Sequence, residues 1–222
     1  MAADSYGFEF ASYKNGNLYY AWVLYVLPGS PAAEAGLERG DWIIAVGSET
    51  PNVTNLSAFY SGSETTFLLA DAVRKGNEIT FNKKKTISVA ASRAVEDTPF
   101  LKDSVYTVGD KKVGYLVYNS FSSGPDDEST IYDDQMKQVF AEFKAENVSE
   151  FVLDLRYNQG GLVTCAQLMT SLLAPADALG KTFCIMEHNE KQSKNDEALL
   201  LKKNSEMGLS LIHISEPTRL QL

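Results

Sequence analysis

The stretch FVLDLRYNQGGLV, Phe151 to Val163, decides how the second half of this chain is read. Phe151 to Leu155 is a nearly continuous apolar run, of the kind that forms a strand buried on both faces. It passes through Arg156-Tyr157-Asn158-Gln159 into Gly160-Gly161, and an apolar helical pattern from Leu162 to Leu173 begins at once. Paired glycines are costly in conformational entropy, so their place at a strand-to-helix junction asks for a reason. Backbone N–H groups at a helix start can face something negative.

Working outward, VYTVGDKKVGYLVYNSF reads as a hairpin turning around Gly109-Asp110. A helix follows from about Thr130 to Ala145, with Tyr132, Met136, Val139, Phe140 and Phe143 at core-facing spacing. Asp126, Asp127, Glu128, Asp133 and Asp134 lack the spacing and central glycine of a calcium loop. Acids near a helix start complement its dipole instead. Strand, helix, strand, helix implies right-handed crossovers and a parallel sheet, and KTFCIMEHN adds a further strand. Upstream, Ala91 to Pro99 is polar, ends in proline and reads as a linker.

The first segment reads as short strands and turns. YGFEFASY is a strand, Asn15 to Asn17 a turn and LYYAWVLYVL a second strand. Ser30 is an N-cap for a very short helix with Pro31 at its first position and Gly36 closing it. Gly40-Asp41 turns into a strand over Trp42 to Val46. TTFLLA and EITFN or TISVA supply later strands, and the run Lys83-Lys84-Lys85 is expected at a solvated hairpin tip.

Whole-chain totals narrow the function classes. The 222 residues are 44% apolar, with a formal charge of −9 spread along the chain. No basic stripe exists to neutralise phosphates, which argues against nucleic acid. Cys165 and Cys184 are too few for a disulfide framework and read as buried thiols, a single bridge being the alternative. With His188 and His213 alone, a histidine-rich metal site is out of reach, and no cofactor is expected. MAADSYGFEF shows no signal peptide, and the longest apolar run, Leu18 to Leu27, is half a membrane span, so no membrane segment is expected.

The last residues fit nothing before them. Leu209 to Arg219 resembles the translation of a transposase adapter used in preparing DNA sequencing libraries, so Leu209 to Leu222 is set aside as a non-native tail. Glu216 and Arg219 balance, so the charge without the tail is still −9. On this reading the natural frame was cut near Gly208.

Two family resemblances follow from these motifs. GSPAAEAGLERGDWIIAV resembles the PDZ domains of bacterial processing proteases. That resemblance implies that Tyr6-Gly7-Phe8 forms the loop whose amides hold a peptide C-terminal carboxylate. The strand edge from Phe8 to Phe10 would then pair with the peptide by β-augmentation. VGYLVYNSF together with FVLDLRYNQGG resembles the C-terminal processing peptidases of the S41 serine protease family. There the glycine loop lies beside the catalytic serine, which implies that Gly160 and Gly161 are oxyanion-loop residues and that Arg156 and Asn158 brace the loop. The implied fold combines α/β and mainly-β parts. A PDZ-like β-rich domain spans 1–94, the first part of a β/α catalytic domain (ClpP/crotonase-like) spans 95–208, and the tail spans 209–222.

The family's serine lies in a Gly-x-Ser-Ala-Ser-like motif with a lysine farther on, and neither motif occurs before the tail. Ser63, Ser120, Ser122 and Ser123 read as solvated or capping serines. Two functions remain at this stage. One is a serine endopeptidase by lineage, inactive as written, that captures polypeptide C-termini. The other is a non-catalytic peptide-binding protein using only the PDZ-like groove. The resemblance implies a periplasmic or cell-envelope setting.

Overall fold

A computed structural model describes residues 4–76 and 78–202, and the tail from Leu209 to Leu222 lies outside the described residues. The chain divides into two compact units between Asp97 and Thr98.

The first unit is β-rich. Its strands are β1 (Asp4–Ser5), β2 (Phe8–Asn15), β3 (Leu18–Val26), β4 (Trp42–Val46), β5 (Thr65–Lys75), β6 (Glu78–Val89) and β7 (Arg93–Ala94), with one short helix, α1 (Pro31–Glu34). Five of them form an antiparallel sheet in the order β2-β3-β4-β5-β6, so β2 and β6 are its edges. Alternation sorts the side chains. Ala21 and Val23 are fully buried, whereas Trp22 between them is 44% exposed. Phe10, Ile43, Phe59, Phe67 and Leu69 complete the inner-face core. Fully burying each such side chain contributes about 1.5–3 kcal/mol. α1 begins as its sequence dictates: Pro31 fills the first position and the Ser30 hydroxyl accepts the Ala33 N–H at 3.1 Å.

Two local expectations change. Lys83 to Lys85 lie inside β6, paired across to β5, and the hairpin turns near Gly76. Exposed lysines carry no apolar period, and Ile79 and Phe81 extend the strand past them. The polar linker also contributes structure, because β7 pairs with β1 as a separate two-stranded sheet.

The second unit contains β8 (Phe100–Val108), β9 (Lys111–Tyr118), α2 (Ile131–Ala145), β10 (Glu150–Asp154), α3 (Val163–Leu173), β11 (Thr182–Met186) and β12 (Glu197–Leu200). β8 and β9 form the hairpin expected around Gly109, and β10 lies parallel to β9 after the α2 crossover. Leu116 and Tyr118 of β9, Met136 and Phe140 of α2, and Leu168 and Leu172 of α3 share one core. The predicted α2 stripe is buried in full.

β10 departs from its expected burial. Phe151 packs on Phe140 and Phe143, with ring centroids 5.3 and 5.5 Å away, while Val152 on the opposite face is 47% exposed. The helices cover one face; the other is open at Val152, while Val117 and Asp154 on it are buried. β11 pairs antiparallel with β12 in its own two-stranded sheet and not with β8–β10. Cys165 and Cys184 are free thiols, the first buried and the second half-buried. No described helix is long and apolar enough to cross a membrane.

Candidate functional site

Each unit carries one candidate site. In the first, Gly7 adopts φ +82°, a conformation that favours glycine, at the entry to edge strand β2. A Cβ here would stand 2.2 Å from the Cβ of Ser30. The loop is tied down from several sides. Tyr6 N–H donates to the Tyr60 carbonyl, Ala32 N–H to the Tyr6 carbonyl, and both Leu27 N–H and the Ser30 hydroxyl to the Gly7 carbonyl. The Tyr6 amide is therefore already occupied. Because the Gly7 carbonyl faces β3, antiparallel alternation turns the N–H and C=O of Phe8 toward the open edge.

The side chains divide in the same way. Tyr6 is a core residue whose hydroxyl donates to the Ser63 carbonyl at 2.8 Å, and burial raises its pKa. Phe8 is half-buried and packs on Phe10 in a tilted arrangement, with centroids 5.6 Å apart. Phe10 in turn meets Phe59 at 5.3 Å and Tyr60 at 4.8 Å, so a short 3-10 turn, Leu56–Phe59, flanks the edge strand with aromatic surface. Phe10 and Tyr6 thus hold the fold together as well as standing beside the loop.

In the second unit the site is built at the carboxyl ends of β9 and β10. Gly160 and Gly161 have φ of +105° and +135°. Gly161 bridges Phe121 in parallel register: Phe121 N–H donates to the Gly160 carbonyl at 2.9 Å and Leu162 N–H to the Phe121 carbonyl at 2.7 Å. In a parallel ladder that pattern leaves the N–H of Gly161 pointing away from Phe121. The Gly160 N–H is differently engaged, donating to Asn158 Oδ1 at 2.7 Å. Asn158 Nδ2 donates to the Tyr118 carbonyl at 3.1 Å, which ties the loop to the end of β9.

Arg156 sits on Asp154. Its Nε lies 2.9 and 3.0 Å from the two carboxylate oxygens, and its N–H donates to Oδ1 at 3.1 Å. Tyr115 adds a hydroxyl donor to Asp154 Oδ2 at 2.7 Å. The Arg156 guanidinium, then Tyr115, holds the buried Asp154 carboxyl well below the usual carboxylate range. Asp154 and Tyr115 were not singled out from sequence. The usable signal is alternation, which puts Tyr115 and Asp154 on one face once β9 and β10 are set parallel. On the helix side, Tyr118 hydroxyl and Cys165 Sγ are 3.2 Å apart, and burial pushes the Cys165 thiol up to about 11. The Ser122 hydroxyl donates to the Gly124 carbonyl at 2.8 Å, the local bond of a loop serine. Among the described residues, no three His, Cys, Asp or Glu side chains converge to hold a metal.

Comparison with known proteins gives matches for both units. Residues 112–210 match the model described as Peptidase family S41, and residues 22–66 match that of a PDZ domain. The glycine loop lies within the first match, while Tyr6 to Phe10 precede the second. A carboxyl-terminal-processing protease of Picosynechococcus sp. is 31% identical over 149 residues, 64% of this chain and 32% of its own length. A solved chain from Bacteroides fragilis NCTC 9343, assigned to the S41 proteases, aligns with a TM-score of 0.70 at 35% identity, covering 90% of this chain and 52% of its own. This chain therefore spans about a third of the curated relative and about half of the solved one. A PDZ domain followed by S41 peptidase sequence, in that order, makes this chain a homologue of the carboxyl-terminal-processing proteases.

Proposed function

We propose that this chain is the substrate-capturing and oxyanion-loop portion of a serine-type endopeptidase that processes polypeptide C-termini. The observation that carries the reading is the Gly161 N–H, turned away from Phe121 at the start of α3. A backbone donor at that position can stabilise the negative oxygen of a tetrahedral intermediate, an effect of roughly 3 to 4 kcal/mol for a single donor. Gly160, held by Asn158, shapes the turn, and Arg156 on Asp154 braces its approach. Capture falls to the other unit. The N–H groups of Gly7 and Phe8 receive the C-terminal carboxylate, and Phe8 to Phe10 pair with the peptide backbone. The compartment that suits this function is the periplasm or cell envelope.

Acyl transfer also needs an activated nucleophile. No serine of the 222 residues lies in a Gly-x-Ser-Ala-Ser-like motif, so the chain as written hydrolyses nothing on its own. The test has two arms. Peptides matched except for a free or amidated C-terminus are titrated against the chain, and equal affinity would remove the carboxylate reading. A cleavage assay is then run on the chain and on the protein from the uninterrupted gene. Turnover is expected only in the latter, and turnover by the chain itself would mean that the nucleophile lies within it.

A further inference from the structure

The face of the five-stranded sheet that turns away from the core of the first unit is aromatic. Its rows follow from register. Trp22 pairs with Trp42, Trp42 with Ala70 and Ala70 with Lys83, so these four share one face. Beside them Tyr13 pairs with Tyr20, and Ala72 with Phe81. The rings meet across the strands. Trp22 stacks on Trp42 with centroids 5.9 Å apart, and Tyr13 stands edge-on to Trp42 at 6.1 Å. Phe81 lies 5.2 Å from Trp42 and 4.6 Å from Tyr20. Tyr13, Tyr20, Trp42 and Phe81 are half-buried by one another, and Trp22 stays exposed. Single exposed apolar residues are ordinary, whereas a contiguous patch marks a contact surface.

Around these rings the charges are of one sign. Lys83 ends the tryptophan row, and Arg74, paired with Ile79, lies just beyond Phe81. Both are exposed, and among the described residues neither is ion-paired. Asp41, Asp71 and Glu78 adjoin the face in sequence, but alternation turns them to the other side. There Asp41 and Asp71 meet Lys84 at 3.6 and 3.9 Å. Glu9 belongs to the far end of β2, beyond the irregularity in its pairing with β3. In a chain of net charge −9, a basic aromatic face is a local departure.

We propose that this face docks the first unit on the surface of an anionic lipid bilayer. Tryptophan and tyrosine join an apolar body to a polar tip, which suits the wet edge of a membrane. Lysine and arginine lay their stems along such rings and reach the headgroup phosphates. A second copy of the face would bring only further cations to Arg74 and Lys83. A soluble acidic polypeptide would meet the cations but give the rings no apolar layer to enter. The contact is peripheral and separate from peptide capture, which uses Phe8 to Phe10 at the other end of β2.

Both tryptophans of the 222-residue chain lie on this face, so intrinsic fluorescence reads it alone. The full chain is titrated with vesicles of mixed phosphatidylglycerol and phosphatidylcholine and, separately, of phosphatidylcholine only. Emission is expected to shift to the blue on the anionic vesicles alone, with an apparent affinity that falls as salt is raised. Arg74→Gln combined with Lys83→Gln should weaken binding about 25-fold, about fivefold for each cation. Both residues are exposed, so the thermal midpoint should hold. If the double variant fails to fold, Lys83→Gln alone should still show its fivefold loss. No shift on anionic vesicles, an equal shift on neutral ones, or an affinity indifferent to the charge variants overturns the proposal. A matching shift with soluble polyglutamate also overturns it and makes the partner an acidic polypeptide. Self-association that produces the shift without lipid overturns it in favour of a second copy. Vesicles that sediment with the chain but leave its emission unmoved place the contact elsewhere and overturn it too. Equal affinity for free and amidated peptides would strike at the capture reading instead and leave the vesicle result standing.

Discussion

A Cβ added to Gly161 would stand 2.2 Å from the carbonyl oxygen of Phe121, whereas one added to Gly160 would meet no atom within 4 Å. The two glycines therefore serve different ends. Gly160 is required only by its positive φ, and Gly161 by both its φ and the closeness of the neighbouring backbone. Gly160→Ala should destabilise by about 1–3 kcal/mol, the cost of strain alone. Gly161→Ala should lose more, because backbone atoms on both sides must move. Urea unfolding of the two variants measures the gap, and equal losses would contradict this account of the loop.

Gly7 gives a matching case in the other unit. At φ +82°, and with Ser30 Cβ 2.2 Å from any added Cβ, Gly7→Val should both destabilise and weaken binding of peptides with a free C-terminus. Ser30→Gly removes the steric partner, at a few tenths of a kcal/mol for the N-cap plus about 1 kcal/mol for the buried bond its hydroxyl donates to the Gly7 carbonyl. Combined with Gly7→Ala it should cost less than the two single losses together, since the overlap disappears while the strained φ remains. Losses from Ser30→Gly and Gly7→Ala that simply add in the double variant would show that strain, not the Ser30 contact, dominates.

The Asp154 carboxylate predicts an acid-sensitive second unit. Arg156 and Tyr115 depress its folded pKa, so its contribution is fully present above the unfolded value of about 3.9 and is lost as pH falls toward the folded one. The unfolding free energy should decline below about pH 4. In Asp154→Asn that limb should flatten, with about 1–3 kcal/mol lost at neutral pH from hydrogen bonds to a charged group. An unchanged acid limb in the variant would assign the sensitivity to other carboxylates.

The two thiols should differ sharply toward an aqueous disulfide reagent. Cys165 is fully buried with its thiol pushed up to about 11, so it holds little of the reactive thiolate at pH 8. Cys184 is half-buried on β11. One thiol per chain should react promptly and the second only on unfolding. Two prompt thiols would mean that the core around Tyr118 and Cys165 opens readily.

Local periodicity carried much of this fold. The α2 stripe, the Gly109 hairpin and the α1 cap are short-range facts that the residues state themselves. Other features depend on register or on layers not encoded nearby. Tyr115 meets Asp154 across 39 positions, a contact visible only once β9 and β10 are aligned. Val152 sits in an apolar run, yet its exposure depends on whether anything covers that face of the sheet. At the glycine loop, the residue types were legible and the division of labour was not, because only the geometry reveals that Asn158 takes the Gly160 N–H.

The five-stranded sheet ends in two unlike margins. β6 carries Lys83, Lys84 and Lys85, all exposed, and a lysine-rich edge repels an approaching strand. β2 opens with Phe8-Glu9-Phe10 and has no such guard over that span. A free strand, whether a client or a misfolded neighbour, therefore meets one welcoming border and one forbidding one. The lysines on β6 disfavour pairing of one copy's β2 with another copy's β6, the head-to-tail contact that would string sheets of this chain together.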